Sequence, residues 1–102
     1  MGKVVRISTE AESEILEIAT SRATFDRVAG LRFPRSVLRG VRDVAAGRVL
    51  HRIVREHLGE SIRAMVVEGC VVLYVANKEY VDVLRVFAAG RDWHNELKEE
   101  EP

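Results

Sequence analysis

The sequence predicts an α+β domain: an N-terminal strand, an antiparallel helix hairpin, a three-stranded antiparallel meander and a short C-terminal helix. In the first half, apolar residues recur at steps of three and four, which is the pattern of helices packed on one face. In 62–87, three apolar runs are separated by turn residues at Gly69 and at Asn77-Lys78, as in consecutive strands. A helix pair beside such a sheet must bury its apolar face against it.

The first element is a short strand at 4–8, followed by a helix. Thr9 fits the helix N-cap, and Glu12, three residues later, completes a capping box. The apolar face of this helix is predicted to continue until Gly30, a residue type that often ends helices.

Pro34 suits the first turn of a second helix, because proline lacks the N–H that has no partner there. Gly47 fits the end of this helix. Residues 48–60 are ambiguous: the apolar spacing favours a helix or irregular structure ending at Gly59, although VLHRIV also fits a strand.

The meander comprises strands at 62–68, 70–76 and 80–87. The middle run is entirely apolar, as expected of a central strand covered on both faces. In the last strand Asp82 and Arg85 interrupt the apolar residues, which predicts that one sheet face is partly open to water. A short helix is predicted from Arg91 onward.

Length and charge predict one domain over 1–97 with an acidic, frayed tail at 98–102. The formal net charge is zero. Removing Glu96–Pro102 takes away one lysine and four glutamates and leaves +3. The cations are 13 arginines and 3 lysines. Arginine suits bidentate contacts with carboxylates and phosphates, but the same excess is found in arginine-rich genomes.

The single cysteine, Cys70, rules out an internal disulfide and favours a cytoplasmic protein. It lies in an apolar run, so a buried, unreactive thiol is expected. No secretory signal or membrane-spanning run is recognised. His51 and His57 lack metal-ligand spacing and are interpreted as structural, and no cofactor is expected.

The chain resembles the ParE/RelE superfamily of toxins from type II toxin–antitoxin modules. The matching segments are VVRIST-EA-SEILEI near the start, the pair Ile62-Arg63, then VVLYVAN, and finally VDVLRVFAAGRDW. The resemblance covers roughly 4–97, and its strength lies in the order and spacing of these motifs. It implies the α+β fold described above and an antitoxin that wraps the sheet and the helix pair.

The resemblance leaves two activities open. RelE-like members cut mRNA on the ribosome, which requires a general base, a general acid and cations on the phosphate. For that activity the chain offers Arg63, Arg85, Arg91 and His94, but no tyrosine after Tyr80. ParE-like members inhibit DNA gyrase and have no known hydrolytic centre, and this branch is preferred.

The ParE-like interpretation assigns target binding to the C-terminal cluster Arg91, Asp92, Trp93 and His94. Trp93 is also a candidate for packing this terminal helix onto the sheet. Antitoxin binding is assigned to Arg35, Arg39, Arg42, Arg63, Tyr74 and Arg85, in a toxin–antitoxin hetero-oligomer. For Tyr74 a core position is the alternative, and the three helix arginines also fit a solvated face. An inactive interaction module on the same scaffold is the third possibility.

Overall fold

The fold contains five strands and three helices in a computed structural model that describes residues 3–99, with side chains through Glu96. The predicted α+β order is confirmed, with one additional strand. In chain order the elements are β1 (Val4–Ile7), α1 (Thr9–Phe25), α2 (Arg27–Ala45), β2 (Ile53–His57), β3 (Glu60–Val67), β4 (Cys70–Ala76), β5 (Tyr80–Phe87) and α3 (Trp93–Glu99).

The strands form one sheet in the order β1-β5-β4-β3-β2. Strand β1 runs parallel to β5, and the other neighbours are antiparallel, so the predicted meander β3-β4-β5 lies within a larger sheet. Glu68 and Gly69 join β3 to β4 with φ values of 49° and 82°. Positive φ at both central residues is what a two-residue type I′ hairpin requires. The turn predicted at Gly69 is therefore confirmed.

The sequence left residues 48–60 ambiguous, with a preference for helix or irregular structure. Residues 48–52 are irregular, but no helix forms in this segment. Ile53–His57 is strand β2, which pairs antiparallel with β3. Leu58 and Gly59 have φ values of 51° and 80°, so they form the same kind of hairpin turn as Glu68-Gly69. This turn and the β-branched pair Ile53-Val54 outweigh a helical spacing that is also compatible with a strand.

The predicted boundaries of the two helices also need correction. Ser8, not Thr9, is the N-cap of α1, because its extended backbone lets Oγ accept the Ala11 N–H at 3.0 Å. The helix ends at Phe25 rather than near Gly30. Asp26 alone joins the helices: its backbone is extended, and Oδ1 accepts the N–H groups of the next helix.

Pro34 does not begin α2 but is the eighth residue of that helix. Asp26 already supplies a strong N-cap eight residues earlier, so the helix starts there. The C-terminal end agrees with the sequence: Gly47 follows the cap Ala46 with φ of 76°, and its N–H binds the Val44 carbonyl at 3.0 Å.

The two sheet faces are covered differently. Both helices pack on one face around a core that includes Phe33, Val37 and Tyr74, each at most 1 % exposed. The opposite face has a smaller core of Ile62, Leu73, Val75 and Phe87, against which Trp93 packs. This face is only partly covered, because Val71, Asp82 and Leu84 are half-buried, as the sequence predicted for a face partly open to water. Helix α3 continues through Glu99, so it includes the start of the predicted acidic tail; residues 100–102 lie outside the described residues.

The two helices approach each other closely at Gly30. A Cβ there would lie 2.6 Å from Ala23 Cβ and 2.7 Å from the Ala19 carbonyl oxygen. At Gly40, in the same helix, a Cβ would lie 2.6 Å from Sδ of the flexible Met65 side chain and at an ordinary contact distance of 3.8 Å from Val67 Cγ2. At Gly30 an added methyl group would clash with backbone and with a Cβ of α1, so the two helices would have to move apart. At Gly40 a side-chain rearrangement is enough.

We therefore expect Gly30→Ala to lower the free energy of unfolding by about 1–2 kcal/mol, although alanine is the better helix former. Gly40→Ala is the matched control and should be neutral or stabilising, because Met65 can change its rotamer. Urea denaturation followed by circular dichroism measures both values. Equal stability of the two variants would contradict the close packing at Gly30.

Candidate functional site

The C-terminal segment Arg91–His94 lies at the start of α3, and its polar groups are exposed. Arg91, Asp92 and His94 are solvent-exposed, whereas Trp93 is half-buried. Asp92 Oδ2 accepts a hydrogen bond from Asn95 Nδ2 at 2.5 Å. The Trp93 and His94 rings stack with centroids 3.7 Å apart. Trp93 thus anchors this segment to the sheet, while its neighbours remain accessible.

Arg91 is held in place by two contacts. Its guanidinium pairs with Glu96 of α3 and lies 5.3 Å from the centre of the Phe87 ring. The guanidinium of Arg85 lies 4.7 Å from the same ring. Phe87 is fully buried, so the two arginines flank a fixed ring at the end of β5.

Arg85 is bound to the helix hairpin. Its Nη2 lies 2.7 Å from Glu14 Oε2, and its Nε is within 3.1 Å of both carboxylate oxygens. Glu14 Oε1 also accepts the Val86 N–H at 2.9 Å. The two side chains are only 14 % and 19 % exposed. The Glu14–Arg85 pair therefore joins α1 to the end of β5, close to the C-terminal segment.

A groove of ≈ 400 Å³ separates α1 from the chain that leaves β5, and its lining includes Glu14, Arg22 and Arg91. All three charges are already compensated, by Arg85, Glu68 and Glu96 respectively. The groove therefore offers little free charge to a small ionic ligand.

Arg63 and Tyr74 lie on the helix-covered side of the sheet, where they fix the chain that enters β2. The His51 N–H donates to Tyr74 Oη at 3.1 Å, and His51 Nδ1 lies 2.7 Å from the same oxygen. Arg63 Nη1 donates to the His51 carbonyl oxygen at 2.6 Å. Burial raises the pKa of the Tyr74 phenol above its ordinary 10.0, although the His51 N–H and the Arg63 charge lower it. The phenol thus stays protonated and can donate to the imidazole.

The four residues considered for RNA cleavage each have a different internal contact. Arg63 is bound to a backbone carbonyl and Arg85 to Glu14. Arg91 is paired with Glu96, and His94 is stacked on Trp93. Among the described side chains, no carboxylate or tyrosine hydroxyl hydrogen-bonds to His94. These contacts do not place a general base, a general acid and two free cations around one phosphate.

Arg35, Arg39 and Arg42, by contrast, do lie together. All three are exposed, and with Leu38, Asp43 and Arg48 they line a groove of ≈ 370 Å³ along α2. Arg48 pairs with Asp43 at 3.1 Å. In the described part of the chain the three helix arginines have no ion-pair partner.

Sequence reasoning missed an apolar groove between the two helices. It measures ≈ 250 Å³ and is lined by Ala19, Thr20, Ala23, Arg27, Gly30 and Leu31; these six residues are called the hairpin seam. Leu31 is 64 % exposed, and Leu16 and Val28 on the same two helices are each 67 % exposed. The sequence did contain a signal for this groove, because the two helices carry more apolar residues than one buried face requires.

Residues 3–99 contain neither a metal-ligand cluster nor a membrane-spanning helix. No three histidine, cysteine, aspartate or glutamate residues of that range come together as metal ligands. No helix there is long and apolar enough to cross a membrane.

Comparison with known proteins gives information about the fold. No family model and no curated protein matches the sequence. Among solved structures, a chain of the chromosomal ParDE TA (toxin–antitoxin) system from P. aeruginosa is similar, with a TM-score of 0.67 at 13 % sequence identity. The alignment covers 85 % of this chain and 96 % of that chain. This protein therefore has the fold of a chain from a ParDE toxin–antitoxin system.

Proposed function

We propose that this chain is the ParE-like toxin of a type II toxin–antitoxin system, which inhibits DNA gyrase in the cytoplasm and is neutralised by a cognate antitoxin. The observation that carries the toxin assignment is the similarity of fold over nearly the whole of both chains. The order of the sequence motifs supports the same assignment.

The contacts of the candidate catalytic groups support gyrase over the ribosome as the target. A nuclease needs its acid, base and cations around one phosphate, but here Arg63, Arg85 and Arg91 bind three different internal partners. A protein target instead needs an ordered surface with an anchored aromatic residue. Trp93 is anchored on the second core, and Arg91 and His94 are exposed beside it.

The hairpin seam is the proposed antitoxin site. A neutralising segment that folds on contact needs an apolar groove to offset the entropy of its ordering. The seam provides that groove, and the exposed side chains of Leu16, Val28 and Leu31 extend its apolar character. The partner segment that fits best is an amphipathic helix whose apolar side lies in the seam.

The target is tested by two assays with the same purified protein. We expect inhibition of plasmid supercoiling by gyrase and no cleavage of mRNA in a translating extract. Arg91→Ala and His94→Ala should each weaken gyrase inhibition about tenfold or more, because they remove exposed contacts beside the Trp93 anchor. Lys78→Ala, an exposed cation in the turn before β5, is the control and should leave inhibition unchanged.

Cleavage of ribosome-bound mRNA that is lost in His94→Ala would instead identify a nuclease. Folded protein without either activity would identify an inactive module. Point variants test the C-terminal segment better than a truncation after Ala89 would. The truncation would remove Trp93 and uncover the smaller core on the sheet face opposite the helices.

The antitoxin site is tested by placing a charge in the seam. Leu31→Glu should weaken binding of the cognate antitoxin at least tenfold and leave gyrase inhibition unchanged. Leu58→Glu is the matched control: Leu58 is 90 % exposed, and Glu68 occupies the equivalent position of the other hairpin turn with φ of 49°. Titration calorimetry measures the affinity of both variants for the antitoxin. Equal affinities of the two variants would exclude the seam as the antitoxin site.

A further inference from the structure

The charges of the helix hairpin are segregated. Helix α1 carries four glutamates and one arginine, whereas α2 carries five arginines and one aspartate. A net charge of zero for the whole chain therefore hides one acidic and one basic helix. Arginine-rich genomic composition explains a preference for arginine over lysine, but it does not explain this separation.

Three arginines of the basic helix are not neutralised. Arg32 lies 3.6 Å from Glu68, and Arg48, just beyond the helix, pairs with Asp43. Arg35, Arg39 and Arg42 have no carboxylate partner among the described residues and share one groove. Like charges three and four residues apart on a helix destabilise it, so this row weakens the isolated domain.

The row is long enough to reach several phosphates of one nucleic-acid strand. Seven residues of helix separate Arg35 from Arg42, which is about 10 Å along the axis. A nucleic-acid strand carries one phosphate per about 3.4 Å of duplex axis, so the row spans about three phosphates. Guanidinium groups bind phosphate oxygens in a bidentate manner.

The groove that the three arginines share lacks an apolar centre. Stable protein interfaces have an apolar centre. Leu38, the one large apolar residue lining this groove, is half-buried. The exposed side chains of Val49 and Val66 line a neighbouring groove together with Arg39, outside the groove that the three arginines share. The exposed apolar residues of α2, Val28 and Leu31, lie near its other end. The row therefore has the character of a surface that contacts backbone phosphates without reading bases.

We propose that Arg35, Arg39 and Arg42 bind the phosphate backbone of duplex DNA, without sequence preference. The choice of DNA over RNA rests on the proposed function, because gyrase works on duplex DNA. The proposal that the row binds phosphate groups does not rest on the proposed function. The row would hold the protein against the DNA on which its target acts, and it would do so independently of the C-terminal segment.

The test measures binding of the isolated protein to a fluorescent 20-base-pair duplex by anisotropy, without gyrase. Three phosphate contacts predict a slope of about −3 for log K against log salt concentration, which is a loss of about 40-fold between 50 and 200 mM salt. The triple variant Arg35→Gln/Arg39→Gln/Arg42→Gln should bind at least tenfold more weakly at 50 mM salt, and its slope should approach zero. The control Arg52→Gln/Lys78→Gln, which removes exposed cations elsewhere, should bind like the original protein.

The proposal would be overturned if the original protein did not bind the DNA duplex at 50 mM salt, or if the triple variant and the control lost equal affinity. It would also be overturned if the protein bound polyglutamate, or duplex RNA of matched charge, more tightly than the DNA duplex. Because gyrase is absent from the assay, its failure leaves the proposed toxin activity untouched. Conversely, loss of gyrase inhibition in His94→Ala with normal DNA binding would separate the two surfaces.

Discussion

The carboxylate of Glu14 is the contact on which the arrangement of this domain depends. Strand β1 pairs with β5 only as far as Val83, so the edge of β5 beyond that point has no strand beside it. Ser8 Oγ donates to the Leu84 carbonyl at 2.6 Å, and Glu14 accepts the Val86 N–H. Glu14 also binds the Arg85 guanidinium. One side chain thus completes the sheet edge, neutralises a half-buried cation and fixes α1 on the sheet.

This contact bears on where the proposed functional surfaces lie. Since Arg85 is already paired with Glu14, the end of β5 has fewer free cations for phosphate chemistry than its sequence suggests. The C-terminal segment is instead anchored through Trp93 and leaves Arg91 and His94 accessible. The outer side of the hairpin divides into the apolar seam and the arginine row of α2. The surfaces proposed for the target, the antitoxin and DNA therefore lie on three separate parts of the domain.

The parts of the fold that were predictable have strong local signals. Apolar runs bounded by Gly69 and Asn77 defined the strands β3 to β5, and helical spacing defined the hairpin. Strand β2 was left ambiguous, although Leu58-Gly59 forms the same turn as Glu68-Gly69, because its apolar spacing also fits a helix. The helix junction was misplaced because one residue, Asp26, both ends α1 and caps α2, so the apolar pattern continues without interruption.

The site was less predictable, because its contacts join residues distant in sequence. The exposed arginines of α2 follow from helical spacing alone. The pairing of Glu14 with Arg85 spans 71 residues, and the binding of His51 by Arg63 and Tyr74 depends on a strand that the sequence left ambiguous. Local sequence patterns thus indicate which charged residues lie on a helix. Packing between residues distant in sequence decides which of these charges have an ion-pair partner.

The central claim is that Glu14 and Arg85 are energetically coupled and hold the hairpin on the sheet. A double-mutant cycle with Glu14→Gln, Arg85→Gln and the double variant, measured by urea denaturation, tests it most directly. We expect a coupling energy above about 1 kcal/mol, because both groups are largely buried and hydrogen-bonded. The exposed pair Asp43–Arg48 serves as the reference and should give a value near zero. A Glu14–Arg85 coupling no larger than that of the reference pair would contradict the claim.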